Sequence, residues 1–158
     1  MGRQGVLVAL ALVTAGAACS DDHAPLGRRA FVSKANAECR RLKQAGDALR
    51  SAADPAVTGD EVTRRVARAV GILRRRVQRI DHLAAPDPLA DRVQRLVSTL
   101  RDYADQLEKL GRRAGPGESF AALQRDNQER VQRLNDLTNE ANSLAVDLQL
   151  NECISGTP

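Results

Sequence analysis

Residues 58–84, TGDEVTRRVARAVGILRRRVQRIDHLA, carry apolar side chains at steps of three and four, with charged side chains between them. This spacing places the apolar side chains on one face of an α-helix, where they can pack against other helices. Thr58 and Glu61 have the spacing of a capping box, in which both side chains bond to free backbone N–H groups at a helix start. The segment therefore predicts an amphipathic helix that begins beside Thr58.

Segments on both sides of this helix repeat the pattern. One extends from Phe31 to Leu49, and Asp54-Pro55 ends it. Another follows the helix-breaking sequence AAPDP at 84–88 and continues to residue 110. There Asp87 suits the N-cap and Pro88 suits the first helical position.

The last amphipathic segment extends from Glu118 to Leu150 without Gly or Pro, after the turn-forming sequence GRRAGPG at 111–117. As one helix it would be about 50 Å long against about 38 Å for the others, so its excess must overhang or bend. Four such helices joined by short loops predict an all-α fold, an antiparallel up-down-up-down four-helix bundle.

The composition agrees with packed helices. The chain has 158 residues, of which 42% are hydrophobic but only 2% aromatic, with no Trp. The core must therefore be built from Leu, Val, Ile and Ala. A charged fraction of 28% argues against wholesale disorder. No apolar run is long enough to span a membrane, so we expect one soluble domain.

The N-terminal residues have the pattern of a bacterial export signal. Arg3 precedes the apolar run VLVALALV at 6–13, and small residues follow up to Cys19. We interpret 1–18 as a signal peptide. Residues 19–29 are then a polar tether and 30–158 the helical domain.

Cys19 is the predicted lipidation site. Lipoprotein signals resemble [LVI]-[AST]-[GA]-Cys, and here Gly16, Ala17 and Ala18 precede the cysteine, so two of three positions fit. A lipid on Cys19 would tether the chain to the extracytoplasmic face of the cell membrane. The alternative is cleavage after Ala17 or Ala18, which would release a soluble secreted protein.

The cysteine count supports the lipid. Cysteines stand at 19, 39 and 153, and an odd number in an exported chain calls for an explanation. With Cys19 lipidated, Cys39 and Cys153 remain as a pair that would form a disulfide in an oxidising compartment. The alternative is two buried free thiols. The spacing excludes a Cys-x-x-Cys metal site.

Patterns that signal chemistry are missing from the sequence. Di-iron bundles need Glu-x-x-His, covalent haem needs Cys-x-x-Cys-His, and hydrolases with a nucleophile elbow need Gly-x-Ser-x-Gly; none occurs. His23 in the tether and His82 at a helix end are isolated, and two such histidines cannot supply a closed metal site. We therefore expect no catalytic residue, no metal and no cofactor, and a protein that is not an enzyme.

The second helix is strongly cationic. Its arginines, with no acid among them, are Arg64, Arg65, Arg68, Arg74, Arg75, Arg76 and Arg79. One interpretation is contact with an anionic membrane surface or wall polymer. The other is that these cations pair with neighbouring acids, for which the last helix offers candidates such as Glu129 and Glu140, or are simply solvated. Nucleic acid is not expected, because stacking aromatics are almost absent and the chain is exported.

Three small or polar residues interrupt the apolar stripes. Asn127 falls on the inward stripe of the last helix, where it could fix the helix register or line a polar ligand pocket. Gly46 and Gly71 lie inside otherwise regular helices. We expect close helix approach at both glycines.

The two ends of the mature chain carry a resemblance. FVSKANAECRR at 31–41 and SLAVDLQLNEC at 143–153 are similar to a broad group of small actinobacterial secreted proteins and lipoproteins. These share an early Phe-Val-x-x-Ala-[Asn/Asp]-Ala-x-Cys and a late Leu-x-x-Cys. The resemblance implies export and a helical fold with paired cysteines, and it supplies no catalytic residue.

Together these observations predict a non-catalytic, membrane-tethered envelope lipoprotein that acts as a helical interaction or structural module. Its partners would be the membrane, through the lipid, and an envelope protein or anionic polymer. The alternative is an extracytoplasmic protein that binds a small apolar or amphipathic molecule between its helices. The sequence leaves the oligomeric state open, including a homodimer through the second or third helix.

Overall fold

The computed structural model describes residues 25–154, and within that range the regular structure is helical. In chain order the elements are α1 (Arg28–Ala52), α2 (Asp60–Asp81), α3 (Asp87–Gly111), α4 (Phe120–Asp126), α5 (Gln128–Asp147) and a 3₁₀ helix (Asn151–Cys153). The signal peptide predicted at 1–18, the lipidation site Cys19, His23 and most of the predicted tether lie outside the described residues. Helix α1 begins at Arg28, so the tether gives way to helix two residues earlier than predicted.

Helix α2 has the amphipathic face that its sequence predicts. Its buried residues are Val62, Val66, Ala69, Val70, Leu73, Val77 and Ile80. Helix α1 contacts α2, α2 contacts α3, and α3 contacts α5, while the 3₁₀ helix contacts both α1 and α5. The core is aliphatic, and the largest completely buried side chains include Phe31, Ile80, Leu96, Leu110 and Leu123.

The predicted capping box at Thr58 is wrong. Gly59, with φ +55°, precedes α2 and offers no side chain, and Thr58 instead forms an isolated β-bridge with Ser119. Glu61 accepts hydrogen bonds from Arg64 at 2.7 Å and from Arg65 at 2.6 Å. The Glu61 carboxylate bonds the guanidinium groups because charge-assisted hydrogen bonds are stronger than a bond to a neutral backbone N–H.

Helix α3 begins one residue earlier than the sequence predicts. Pro86 is the N-cap, and Asp87, predicted to be the cap, is the first helical residue. Pro88 remains within the first turn, where its missing N–H costs no helical hydrogen bond. The acidic side chain of Asp87 is favourable there because it faces the positive end of the helix dipole.

The last predicted helix is two helices, which corrects the expectation of one uninterrupted helix from Glu118 to Leu150. The chain leaves helical geometry at Asn127, with φ −128° and ψ 43°. Its side-chain Nδ2 donates to the carbonyl of Leu123 at 2.8 Å, taking the acceptor that a backbone N–H would use in a continuous helix. Its Oδ1 accepts from Arg113 at 3.2 Å. Asn127 is therefore a helix breaker and not a buried register residue.

The close helix approach is at Gly111, not at Gly46 or Gly71 as predicted. A Cβ at Gly111 would lie 2.5 Å from Cγ1 of Val66, so α2 and α3 meet there through the missing side chain. At Gly46 the nearest atom would be Nη1 of Arg50 at 3.7 Å. At Gly71 it would be Nη1 of Arg75 at 3.4 Å, again from the same helix.

Candidate functional site

A cavity of about 590 Å³ lies among the four long helices α1, α2, α3 and α5. Small residues line it where larger ones would fill it: Ala45 and Gly46 on α1, Ala69 on α2, and Ala141 on α5. Short side chains leave unfilled volume because the backbones of neighbouring helices cannot collapse onto them. The cavity is therefore a consequence of residue size at particular positions of the apolar stripes.

The lining of the cavity is mostly aliphatic. Its larger apolar side chains are Leu42, Leu49, Leu73, Leu100, Leu107, Leu137 and Ile154. Leu73 and Leu107 are only 7% and 3% exposed, so α2 and α3 supply the deep part. Lys43, Asp47 and Arg50 are exposed and mark a polar mouth along α1.

Tyr103 is the aromatic residue of this lining. It lies on α3, and burial raises the pKa of its hydroxyl above the ordinary value of 10.0, with desolvation as the sole cause. Among the residues that the structure describes, nothing forms a hydrogen bond with this hydroxyl. Tyr103 is only partly buried, and a tyrosine with an apolar ring and an accessible hydroxyl can offer that hydroxyl to a ligand in the cavity.

The C-terminal part of the chain closes one end of the cavity. Gln149 adopts a positive φ of 61°, and the N–H of Leu150 donates to the carbonyl of Ala145 at 2.8 Å. These features form a Schellman motif, which reverses the chain after α5. The reversal buries Leu150 completely and brings the 3₁₀ helix against α1.

A disulfide joins Cys39 of α1 to Cys153 of the 3₁₀ helix, in agreement with the pairing that the cysteine count predicts. Both residues line the cavity. Polar contacts reinforce the same junction: Asn36 Oδ1 accepts from the N–H of Glu152 at 3.0 Å, and Lys43 Nζ lies 3.1 Å from a carboxylate oxygen of Glu152. One wall of the cavity is thus attached covalently and electrostatically to α1.

The amide that lines the cavity is Asn142 of α5, not Asn127. Asn127 lies at the break between α4 and α5, where it lines a separate polar groove. The sequence offered binding between the helices as an alternative but did not locate the cavity, because Ala45, Ala69, Tyr103 and Ala141 fit the apolar helix faces like any other core residue. The information that could have located the cavity is the small size of several residues on the apolar helix faces. The spacing of apolar residues does not record their size.

The seven arginines predicted to form one cationic surface divide into two groups. Arg64, Arg65, Arg74 and Arg76 each pair with a carboxylate. Arg68, Arg75 and Arg79 are exposed, and none of them forms an ion pair with any residue in 25–154. The cationic surface that is not neutralised by ion pairs is therefore smaller than the sequence indicated.

The acids that pair with these arginines are not on the last helix, where we expected them. Arg74 contacts Asp105 at 2.6 Å and Glu108 at 2.8 Å, and Arg76 contacts Glu38 at 3.3 Å. The reason is that α2 packs between α1 and α3, so its side chains meet acids of those helices.

Charge pairing shifts the pKa of three groups at the surface. Hydrogen bonds from Arg65 and then Arg64 lower the pKa of Glu61. Hydrogen bonds from Arg74 and then Arg112 lower the pKa of Glu108. Asp105 and then Glu108 raise the pKa of Arg74. Each shift favours the charged form of its group, which is consistent with ion pairs that stabilise the helix surface.

Another concave surface lies between α1 and α2. It is lined by Lys34, Arg41, Arg75, Arg79 and His82 around one acid, Glu38. Two of the predicted arginines thus combine with cations of α1. His82 is exposed in this groove, and within residues 25–154 no three His, Cys, Asp or Glu side chains are grouped to hold a metal ion.

Comparisons with protein-family models, with curated protein sequences and with solved structures found no match to this chain. No helix in the described range has both the length and the apolar content needed to cross a bilayer.

Proposed function

We propose that the protein is a non-catalytic, extracytoplasmic helical module that binds a small apolar or amphipathic molecule in the cavity among its long helices. The observation that carries the proposal is the cavity of about 590 Å³ with aliphatic walls and a charged mouth. Small-molecule sites are typically about 300–1,000 Å³, mostly apolar, with a few polar groups that orient the ligand.

We further propose that the helices form an antiparallel up-down-up-down bundle. Contacts between successive helices support this order. At the start of α2, Arg65 donates a hydrogen bond to the carbonyl of Ser51 at the end of α1. Near the end of α2, Arg76 pairs with Glu38 in the first half of α1. Side-chain hydrogen bonds between the other neighbouring helices show the same reversal of chain direction. For α2 with α3 these are Thr63–Gly111 and Asp81–Arg101, and for α3 with α5 they are Gln106–Arg130 and Arg95–Glu140.

The favoured ligand has a long apolar part and one polar group. The aliphatic lining favours a hydrocarbon chain because burial stabilises apolar surface by about 25 cal/mol per Å². The unpartnered hydroxyl of Tyr103 favours a ligand atom that accepts or donates a hydrogen bond. A single-chain fatty acid or alcohol has this chemistry.

The proposed location is the outer face of the cell membrane, with Cys19 as the lipid attachment point; release as a secreted protein is the alternative. The export pattern at 1–18 supports both. The Cys39–Cys153 disulfide also fits an oxidising compartment. Intact mass spectrometry of protein from its native envelope distinguishes them, because a lipidated chain begins at Cys19 and carries acyl mass.

Binding is tested by fluorescence titration with N-phenylnaphthylamine, a probe that brightens in apolar sites, followed by its displacement with dodecanoate. The blocking variant is Ala45→Phe, because Ala45 lines the cavity and is only partly buried. The matched control is Ala67→Phe, an exposed alanine of α2 outside the cavity lining.

We expect the native chain to bind the probe saturably and dodecanoate to displace it. Ala45→Phe should abolish probe binding, and Ala67→Phe should retain it. Equal binding by both variants would place the probe elsewhere and refute the cavity as the site. Absence of binding by the native chain, with circular dichroism confirming its helices, would favour the interaction or structural module that the sequence first suggested.

A further inference from the structure

We propose that the groove between the first half of α1 and the second half of α2 docks on an anionic lipid bilayer and holds the helices against the membrane. Its orientation rests on the lipid anchor at Cys19 that is part of the proposed function. The groove is distinct from the cavity: its lining and the cavity lining have no residue in common.

The groove has a large excess of positive charge. Its charged lining comprises four cations, Lys34, Arg41, Arg75 and Arg79, against the single acid Glu38. That acid is already engaged, because Arg41 and Arg76 both pair with it. The groove therefore retains uncompensated charge that attracts anions.

Three of the four cations are available to an external partner. Lys34, Arg75 and Arg79 are exposed, and within the described part of the chain no acid lies within ion-pair distance of them. Most of the other arginines of α2 are in pairs, so this lack of acids is local and not a general property of the helix. No carboxylate of residues 25–154 forms an ion pair with these three cations.

The groove begins at the end of the fold where the chain would leave the membrane. The N–H of Leu26 donates to the carbonyl of Ala84 at 2.9 Å, which fixes the start of α1 beside the end of α2. Cys19 precedes Leu26 by seven residues. Even fully extended at about 3.3–3.6 Å per residue, that segment reaches only about 25 Å.

A lipid on Cys19 would consequently keep this end of the fold close to the bilayer surface. Lys34 is six residues into α1, or about 9 Å along the helix, and His82 is the C-cap of α2 at the same side. Phosphate-bearing headgroups are the anions present at that surface. Each cation held near them raises the binding constant about fivefold.

The test measures vesicle binding without the lipid anchor. The chain from residue 19 onward, with Cys19→Ser, is sedimented with vesicles of phosphatidylglycerol mixed with phosphatidylcholine, and with vesicles of phosphatidylcholine alone. The test variant is K34Q/R75Q/R79Q. The matched control is R64Q/R101Q/R112Q, which removes the same charge from exposed arginines that are each paired with an acid.

We expect binding to the anionic vesicles only, weakened by salt, with a loss on the order of 100-fold in the test variant and a much smaller loss in the control. Equal losses in both variants would mean that net charge alone drives binding and would overturn the proposal. Binding to a soluble anionic wall polymer but not to vesicles would also overturn it.

The failure of this inference can be told apart from failure of the proposed function. N-phenylnaphthylamine titration of K34Q/R75Q/R79Q reports on the cavity, whose lining the variant leaves intact. Retained probe binding with lost vesicle binding isolates the groove, and intact mass spectrometry reports separately on Cys19.

Discussion

Cys39 and Cys153, which are 114 residues apart in sequence, have their Cα atoms 4.7 Å apart and together form part of the cavity wall. The bond closes nearly the whole helical chain into one loop. In the chain-entropy model such a loop restricts the unfolded ensemble strongly, by about 4.7 kcal/mol for 100 residues.

We expect the Cys39→Ala/Cys153→Ala variant to be less stable than the native chain by about 2–5 kcal/mol. Urea denaturation followed by circular dichroism measures the difference. Cys19→Ser is the control, since that cysteine lies outside the pair, and it should leave the free energy of unfolding unchanged. An equal loss in Cys19→Ser would argue against a Cys39–Cys153 bond in solution.

Gly111→Ala should destabilise the fold by about 1–3 kcal/mol, because its methyl group would collide with Val66 where α2 and α3 meet. Gly71→Ala is the matched control: it adds the same methyl inside α2 with only the flexible Arg75 side chain nearby. It should stabilise the helix by up to about 1 kcal/mol. In thermal denaturation the midpoint temperature should fall for Gly111→Ala and rise for Gly71→Ala.

Gln149→Gly should stabilise the fold by about 0.5 kcal/mol. Gln149 has φ 61°, which costs an L-residue about 1–2 kcal/mol, whereas glycine adopts it freely but loses more backbone entropy. Gln132→Gly, in the regular part of α5, should instead cost about 1 kcal/mol. If both variants lose the same stability, the left-handed turn after α5 is not formed in solution.

Tyr103→Phe tests the polar end of the cavity. The substitution retains the aromatic wall and removes only the hydroxyl, so dodecanol and dodecanoate should bind about three- to tenfold more weakly, the loss of one hydrogen bond. N-phenylnaphthylamine displacement measures both constants. A purely apolar competitor such as dodecane should bind the two proteins equally; a loss for dodecane would indicate that the substitution distorts the wall.

Glu108 makes stability depend on pH. Its folded-state pKa lies below the ordinary value of 4.5, because Arg74 and Arg112 favour the carboxylate. The contribution is therefore fully present above that value and is lost as the pH falls through the folded-state pKa. Urea denaturation of Glu108→Gln should show a smaller loss between neutral and acidic pH than the native chain shows.

Local sequence was enough to predict most helices because helix formation depends on residues three and four apart. The stripes of α1, α2 and α3 identified these elements, and proline and glycine clusters located their ends within a few residues. Cys39 and Cys153 could be paired by counting, since a third cysteine had another proposed use. The break at Asn127 could not be predicted, because an Asn side chain also fits within a continuous helix.

Only the tertiary structure decided what lies between the helices. Periodicity states which face of a helix is apolar, but not which residues of other helices meet it or how well they fill the space. The contact of Gly111 with Val66, the cavity around Tyr103 and the pairing of Arg74 but not Arg75 all depend on distances between separate helices. Those distances follow from the packing of the whole core, which is built by residues from all the helices and not by any single stretch of sequence.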